Sequence, residues 1–187
     1  MKIGVFGGAF NPIHIGHLVA IEEVREKLKL DKVLFIPAFK PPHKNNLVSY
    51  KHRRNMVALA IRNNNCFELS EVEKEKGGIS WTIVTLKELH KKYPKDKLYL
   101  IIGSDQYLVL NTWKEPENLI RYAKLIVMLR PGSKCNFDKS KFVITVEITQ
   151  VDVASKEIRG RIKQRKSIRY KVVEEVHKYI KKNKLYT

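Results

Sequence analysis

The sequence has little cysteine, few acidic residues and no long apolar run. Two of its 187 residues are cysteines, Cys66 and Cys135, and they lie far apart. This scarcity excludes a disulfide scaffold and a cysteine-based zinc site, and it suits a reducing cytoplasm. No run of about 18 or more apolar residues occurs, which excludes a membrane-spanning helix. The first residues also lack the apolar core of a signal peptide, so we expect a cytoplasmic protein with no membrane partner.

The shortage of acidic residues leaves a large positive charge. The chain has 37 lysines and arginines against 19 aspartates and glutamates, a formal net charge of +18. Such an excess favours anionic partners, which include nucleotides, phosphates, nucleic acid and anionic lipid. The lysines are spread along the chain and are dense towards its C-terminal end, as on solvated helix faces. Charge alone therefore selects none of these partners.

The sequence does contain a regular alternation of short apolar runs and helical segments. Apolar runs predict strands at residues 2–6, 33–36, 67–72, 98–102, 125–129 and 142–148. The helical period predicts helices at 14–30, 49–62, 80–92, from about 155, and at 171–182. This pattern predicts an α/β fold, Rossmann-like and doubly wound, with a mostly parallel sheet and helices on both faces. We expect one domain over residues 1–187, with a C-terminal helical portion from about 153 packed on it.

The segment after the first predicted strand is the richest in functional groups. Residues 7–17 read Gly-Gly-Ala-Phe-Asn-Pro-Ile-His-Ile-Gly-His. The two leading glycines allow the backbone to approach a ligand, and the start of the next helix attracts anions. His14 and His17 share one helix face and can donate hydrogen bonds to phosphoryl oxygens. Alone, they could be ordinary helix-start residues or a metal pair, but with the glycines and the proline they favour a phosphate site.

This segment resembles the G-x-F-x-P-x-H-x-G-H signature of the HxGH nucleotidylyltransferase superfamily. Members of that superfamily transfer a nucleotidyl group from a nucleoside triphosphate to a phosphate or an alcohol and release pyrophosphate. The family usually has aspartate where this chain has Asn11, a change that keeps the size of the side chain and removes a charge. The resemblance implies that both histidines are catalytic and that the ATP site includes Gly7, Gly8, Ala9, Phe10, His14 and His17.

A second segment, near the C-terminal end, resembles the I-S-S-T-x-I-R motif of the same superfamily. Residues 153–159 read Val-Ala-Ser-Lys-Glu-Ile-Arg, so Ser155 and Arg159 match while Ala154 and Lys156 depart from the motif. A helix start here offers N–H groups to phosphate oxygens, and a guanidinium adds charged donors. The resemblance implies that Ser155 and Arg159 bind ATP and that Arg159 is catalytic.

Four further segments resemble bacterial nicotinate-mononucleotide adenylyltransferases, and the match covers nearly the whole chain. Residues 37–44 resemble their P-x-x-x-P-P-H-K loop, and residues 78–86 resemble their S-Y-T-x-D-T-L segment. Residues 103–105, with Trp113 beyond them, resemble a G-x-D…W stretch, and residues 130–132 resemble an R-P-G turn. In the second segment, tryptophan replaces the family tyrosine and valine replaces the family aspartate.

The resemblance implies that ATP and nicotinate mononucleotide react to give nicotinate adenine dinucleotide and pyrophosphate. Asp105 and Arg130 would complete the ATP site, and Mg²⁺ would enter with ATP, bound mostly by substrate oxygens. The acceptor would contact cationic loop residues, aromatic planes that can stack on a pyridinium ring, and main-chain donors for its carboxylate. These acceptor-binding residues are His43, Lys44, Trp81, Thr85 and Trp113. Trp81 and Trp113 could instead be half-buried core residues.

Two alternatives remain open on the sequence. The acceptor could be nicotinamide mononucleotide or another phosphorylated compound such as phosphopantetheine, although residues 37–44 and 80–86 argue against the latter. A protein of another class, a basic RNA-binding module, could use residues 159–184. Within that stretch, however, Val172, Val176, Tyr179 and Ile180 follow helical spacing and predict a core-facing stripe. We therefore expect no nucleic-acid partner; a homodimer is possible.

Overall fold

The computed structural model of the protein describes residues 1–43, 45–129 and 142–187. The strands are β1 (Lys2–Gly8), β2 (Lys32–Pro37), β3 (Phe67–Leu69), β4 (Lys97–Gly103), β5 (Lys124–Leu129) and β6 (Val143–Glu147). The helices are α1 (Ile15–Leu28), α2 (Tyr50–Ile61), α3 (Val72–Lys76), α4 (Thr82–Lys92), α5 (Ser104–Leu108), α6 (Leu119–Tyr122), α7 (Ser155–Lys163) and α8 (Glu174–Lys182). Short 3₁₀ turns lie at Leu110–Thr112 and Pro116–Asn118. Within these ranges, no helix is both long enough and apolar enough to cross a bilayer.

The strands form one parallel sheet in the order β3-β2-β1-β4-β5-β6. The chain moves outwards from β1 to β2 and β3 on one side, and from β4 to β5 and β6 on the other. The strand order therefore reverses between β1 and β4. In open parallel sheets, ligands bind beyond the carboxyl ends of the strands at such a point.

Alternate residues of the strands supply two separate cores, one on each face of the sheet. Phe6 of β1 and Phe35 of β2 face one core, which also receives buried residues of α1, α2, α7 and α8. Ile3 of β1 and Leu34 of β2 face the other core, which receives buried residues of α4 and α6. Because successive strand residues point to opposite faces, burial on both faces requires continuous apolar runs. The predicted Rossmann-like fold with helices on both faces is confirmed.

Some element boundaries differ from the sequence expectation for local reasons. The helix predicted to start at residue 80 begins at Thr82 instead, and Ser80 Oγ accepts a hydrogen bond from the Lys40 N–H at 2.9 Å. The third strand was expected to reach Val72, but it ends at Leu69 and Val72 begins α3. By contrast, the helix predicted at 49–62 starts close to its expected position, since Ser49 Oγ caps α2 by accepting from the N–H of His52.

The C-terminal segment shares the first core with the sheet. Its buried residues are Ile158, Ile168, Val172, Val176, Ile180 and Leu185. The hydroxyl of Tyr179 lies 3.0 Å from both His52 Nδ1 and Asn55 Nδ2 on α2. Val176 and Ile180 of the predicted stripe therefore face the core, and Tyr179 is held against a neighbouring helix.

This shared core predicts that α8 unfolds together with the sheet. Ile180→Ala removes buried methyl groups at a site that is 4% exposed, so we expect a loss of about 2–5 kcal/mol in the free energy of unfolding. Ile120→Ala, at a site 44% exposed, is the matched control and should cost less than about 1 kcal/mol. Urea unfolding followed by circular dichroism and tryptophan fluorescence measures both. Two separated transitions would contradict a shared core.

Candidate active site

An open cleft of about 800 Å³ lies where the strand order reverses. The turn after β1 and the starts of α1, α5 and α7 contribute residues to its walls. Among the residues expected to bind ATP or to act in catalysis, those lining the cleft are Gly7, Gly8, Ala9, Phe10, His14, His17, Asp105, Ser155 and Arg159. The fold thus brings together residues from three distant parts of the sequence.

The two histidines lie stacked at the start of α1. His14 is the N-cap residue and has an extended backbone, and His17 belongs to the first turn. Their ring centroids are 3.7 Å apart. The His14 backbone N–H donates a hydrogen bond to Nδ1 of His17 at 3.2 Å. Because Nδ1 of His17 accepts this bond, the neutral ring carries its proton on Nε2, which is then its donating nitrogen.

Gly16 leaves room for this pair and for the loop opposite it. A Cβ atom at this position would lie 3.2 Å from His14 Nδ1 and 3.5 Å from the carbonyl oxygen of Val151. The first distance is shorter than ordinary van der Waals contact. A side chain here would therefore displace the imidazole of His14.

The turn between β1 and α1 has its carbonyl groups bound by donors from other elements. Arg53 Nη1 donates to Ala9 O at 2.9 Å, and Arg159 Nη1 donates to Asn11 O at 2.8 Å. Ser155 Oγ donates to Pro12 O at 2.8 Å. The partial negative charge of these carbonyl oxygens is thus compensated by protein donors. Because the oxygens then repel a nearby anion less, the arrangement suits the binding of an anion beside the turn.

The start of α7 places Ser155, Lys156 and Arg159 along the cleft. The hydroxyl proton of Ser155 is used by Pro12 O, so the hydroxyl itself anchors the turn. The guanidinium of Arg159 has five N–H groups, and its bond to Asn11 O uses one of them. Arg159 can therefore hold the turn and donate to a phosphate at the same time.

Asp105 lies in the first turn of α5, directly after β4. Its carboxylate packs against the backbone of Gly103, where a Cβ atom would clash with Oδ1. Gln106 Nε2 donates to the other carboxylate oxygen at 3.1 Å. Gly103 is therefore needed for the close approach of this carboxylate to the strand end.

The residues expected to bind the acceptor fall into two groups. His43 and Trp113 line the main cleft, whereas Trp81 and Thr85 line a separate hollow of about 10 Å³. The rings of His43 and Trp81 lie edge to face, with centroids 6.4 Å apart. Thr85 is buried and its hydroxyl donates to Glu73 Oε1 at 2.8 Å. Lys44 and Arg130, also expected at the site, lie outside the described residues.

The chain is similar in sequence to a known protein family and to individual proteins. The family described as cytidylyltransferase-like matches residues 5–161. The chain belongs to the cytidylyltransferase-like family. A "probable nicotinate-nucleotide adenylyltransferase" of Thermus thermophilus is 41% identical over 186 residues, which cover all of both chains. A protein of the same description from Dictyoglomus thermophilum is 41% identical over 194 residues, again over both full lengths.

Solved structures show that the fold of this chain occurs in other proteins. Plasmodium falciparum nicotinic acid mononucleotide adenylyltransferase, in complexes with APC and with NaAD, superimposes with TM-scores of 0.81 and 0.83. The sequences are 21% identical, and the match covers 99% of this chain and 96–97% of the other. The likeness to nucleotidylyltransferases expected from the motifs is confirmed at the level of family and fold.

Some residues that build this cytidylyltransferase-like site were missed by sequence reasoning. Arg53 is 2% exposed and holds the turn, and Tyr186 donates through its hydroxyl to Asn11 Oδ1 at 2.9 Å. Burial raises the pKa of Tyr186, so its phenol stays protonated and acts as a donor. The helical spacing did indicate that Arg53 is buried, because it lies three residues before Met56 and four before Val57, both apolar, on one face of α2.

The crowding at Gly16 predicts a separable effect on activity. Gly16→Ala should displace the His14 ring and lower kcat/KM for nucleotidyl transfer about 10- to 100-fold, because small misplacements of catalytic groups cost that much. The fold should persist, since alanine favours a helix. Gly160→Ala, in α7, is the matched control, because a Cβ there meets nothing within 4 Å. Pyrophosphate release and thermal unfolding measure the two effects; equal activity of the two variants would contradict the crowding.

Proposed function

We propose that this chain transfers the adenylyl group of ATP to the 5′-phosphate of nicotinate mononucleotide, yielding nicotinate adenine dinucleotide and pyrophosphate in NAD biosynthesis. The observation that carries this proposal is the meeting of the His14–His17 pair with Ser155 and Arg159 in one cleft. Relatives about 40% identical over their full length carry the corresponding description. A structural neighbour of the same fold binds NaAD.

In the proposed reaction the acceptor phosphate attacks the α-phosphorus of ATP in line, and pyrophosphate leaves. The attacking oxygen is already anionic, so neither a protein nucleophile nor a strong base is required. Catalysis then consists of positioning and of stabilising the charge that develops on the phosphoryl oxygens. The donors for this task come from elements whose positions are fixed by the sheet.

The geometry supports a division of tasks between the two helix starts. Nε2 of His17 is the donating nitrogen of that ring and lies at the start of α1, where the helix dipole also favours negative charge. We assign it to the α-phosphate. Arg159 and Lys156 at the start of α7 supply positive charge for the leaving pyrophosphate. Ser155 acts in this scheme by anchoring Pro12 rather than by donating its hydroxyl proton to phosphate.

Mg²⁺ is proposed to enter as the complex with ATP. Hard cations bind phosphate oxygens and keep several waters, so a dedicated protein cage is not required. Asp105 lines the cleft and is the type of oxygen ligand that suits such an ion. In the ranges covered by the structure, no group of three or more histidine, cysteine or acidic side chains forms a metal site.

For the acceptor, the geometry favours His43 and Trp113 as direct contacts. Both line the same cleft as the histidine pair, and an aromatic plane there can stack on a pyridinium ring. The hollow beside Trp81 and Thr85 is smaller than a pyridine ring. The N–H groups of Val84 and Thr85 both donate to Trp81 O. We therefore propose that Trp81 and Thr85 shape the wall of the acceptor site without contacting the pyridine ring, and that Lys44 completes the site.

The choice of acceptor predicts a rank order of rates. With ATP and Mg²⁺, pyrophosphate release should be fastest with nicotinate mononucleotide, slower with nicotinamide mononucleotide and negligible with phosphopantetheine. The reason is that a chain with a formal net charge of +18 attracts the extra negative charge of a carboxylate, which a carboxamide lacks. Measuring kcat/KM for the three acceptors side by side tests the order. A higher value for either of the other acceptors would overturn the substrate assignment.

The role of His17 predicts a loss of rate without a loss of fold. His17→Ala should lower kcat about 100- to 1,000-fold, the effect of removing one preorganised donor at a transition state. His90→Ala is the control, because His90 lies in the last turn of α4 and packs against Tyr122. Single-turnover kinetics and circular dichroism distinguish chemistry from folding. If the His17 variant kept a near-normal kcat, the assignment to the α-phosphate would be wrong.

A further inference from the structure

Arg53 is an arginine inside the core whose hydrogen bonds run to three backbone carbonyls. It lies on α2 and is 2% exposed. Its Nε donates to Val48 O at 3.1 Å, its Nη1 to Ala9 O at 2.9 Å and its Nη2 to Phe39 O at 3.4 Å. The planar guanidinium thus spans the segment before α2, the turn after β1 and the loop after β2.

Core packing alone does not explain an arginine at this position. Its neighbours on the same face of α2, Met56 and Val57, are apolar and fully buried. Burial lowers the pKa of Arg53, which reflects the cost of removing its charge from water. An apolar side chain of similar volume would avoid that cost. The charge is instead met by three backbone carbonyl oxygens and by the nearby carboxylate of Glu73, which favours the charged guanidinium.

The two loops that Arg53 joins serve different substrates in the proposed function. Ala9 belongs to the nucleotide turn, residues 7–17, and lines the main cleft. Phe39 belongs to the acceptor loop, residues 38–43, which ends at His43. The Phe39 N–H donates to Glu73 Oε2 at 3.1 Å, and the other oxygen of Glu73 accepts from Thr85 Oγ1 at 2.8 Å. A continuous polar path therefore runs from the nucleotide turn through Arg53 and Phe39 to α4.

We propose that Arg53 is a positioning residue that couples the nucleotide turn to the acceptor loop, so that ATP binding orders the loop for the acceptor. The proposal rests on the proposed function. Arg53 is not among the residues that line the cleft, so it acts through Ala9 and Phe39 rather than by touching substrate. The guanidinium donates to these carbonyls from three separate nitrogens in a fixed plane, whereas a lysine ammonium has a single nitrogen from which to reach them.

The first test uses hydrogen exchange and needs no turnover. In the unaltered protein, a non-hydrolysable ATP analogue should slow amide exchange in residues 38–43 as well as in residues 7–17. In Arg53→Lys the protection of residues 7–17 should persist while that of residues 38–43 is lost. Arg54→Lys is the matched control on the same helix, since Arg54 is half-exposed and pairs with Glu71 at 3.0 Å.

The second test separates positioning from stability. Arg53→Lys should lower kcat/KM for the acceptor about 10- to 100-fold, because the reacting groups are less well aligned. Direct binding of the ATP analogue should change less than about threefold, because the histidines and Arg159 remain in place. Arg54→Lys should match the unaltered protein in both measurements.

The outcomes are distinguishable from a failure of the proposed function. Absence of ATP-induced protection in residues 38–43 of the unaltered protein would overturn the coupling, whatever the variants do. A lower thermal midpoint of Arg53→Lys with unchanged acceptor KM, kcat and exchange pattern would reduce Arg53 to a structural role and also overturn it. If no acceptor were turned over but the exchange coupling were lost in Arg53→Lys, the coupling would stand and the substrate assignment would fail.

Discussion

The site depends on one constraint: the carbonyl oxygens of the turn at residues 9–12 must be bound by donors, so that they do not repel the anion proposed to bind in the cleft. Ser155 and Arg159 meet this requirement at Pro12 and Asn11, and Arg53, which does not line the cleft, binds the oxygen of Ala9. A carbonyl facing the cleft would repel a phosphate, and an unpaired buried carbonyl would cost stability. The same hydrogen bonds therefore satisfy the backbone and make the cleft suitable for a polyphosphate.

The sheet topology explains why those donors are available. The reversal between β1 and β4 opens a cleft at the ends of two adjacent strands, into which the starts of α1 and α5 point directly. The segment after β6 then returns across this edge, and α7 begins beside the turn. Because Ile158 of α7 is fully buried in the first core, the position of Arg159, its neighbour in sequence, is fixed by packing. Apolar burial thus determines where the guanidinium of Arg159 lies.

The fold class and the histidine pair could be predicted from the sequence because both depend on local pattern. Strands buried on two faces need continuous apolar runs, and the spacing of His14 and His17 acts within one helical turn. The contacts of Arg53 and Tyr186 could not be predicted in this way. Tyr186 meets Asn11 across 175 residues of sequence, and the carbonyl partners of Arg53 belong to three separate segments of the chain. The same limit applies to Ser80, whose partner Lys40 belongs to a different loop.

The net charge of +18 has a smaller role in recognition than its size suggests. Because 37 basic residues outnumber 19 acidic ones, many lysines cannot form ion pairs and are better explained as solvated surface residues. Such a field attracts any polyanion and distinguishes none. Discrimination must come from donors held at fixed positions in the cleft, such as the guanidinium of Arg159, which donates to Asn11 O. Because this guanidinium is held by a neutral backbone carbonyl, its positive charge remains available where the triphosphate is proposed to bind.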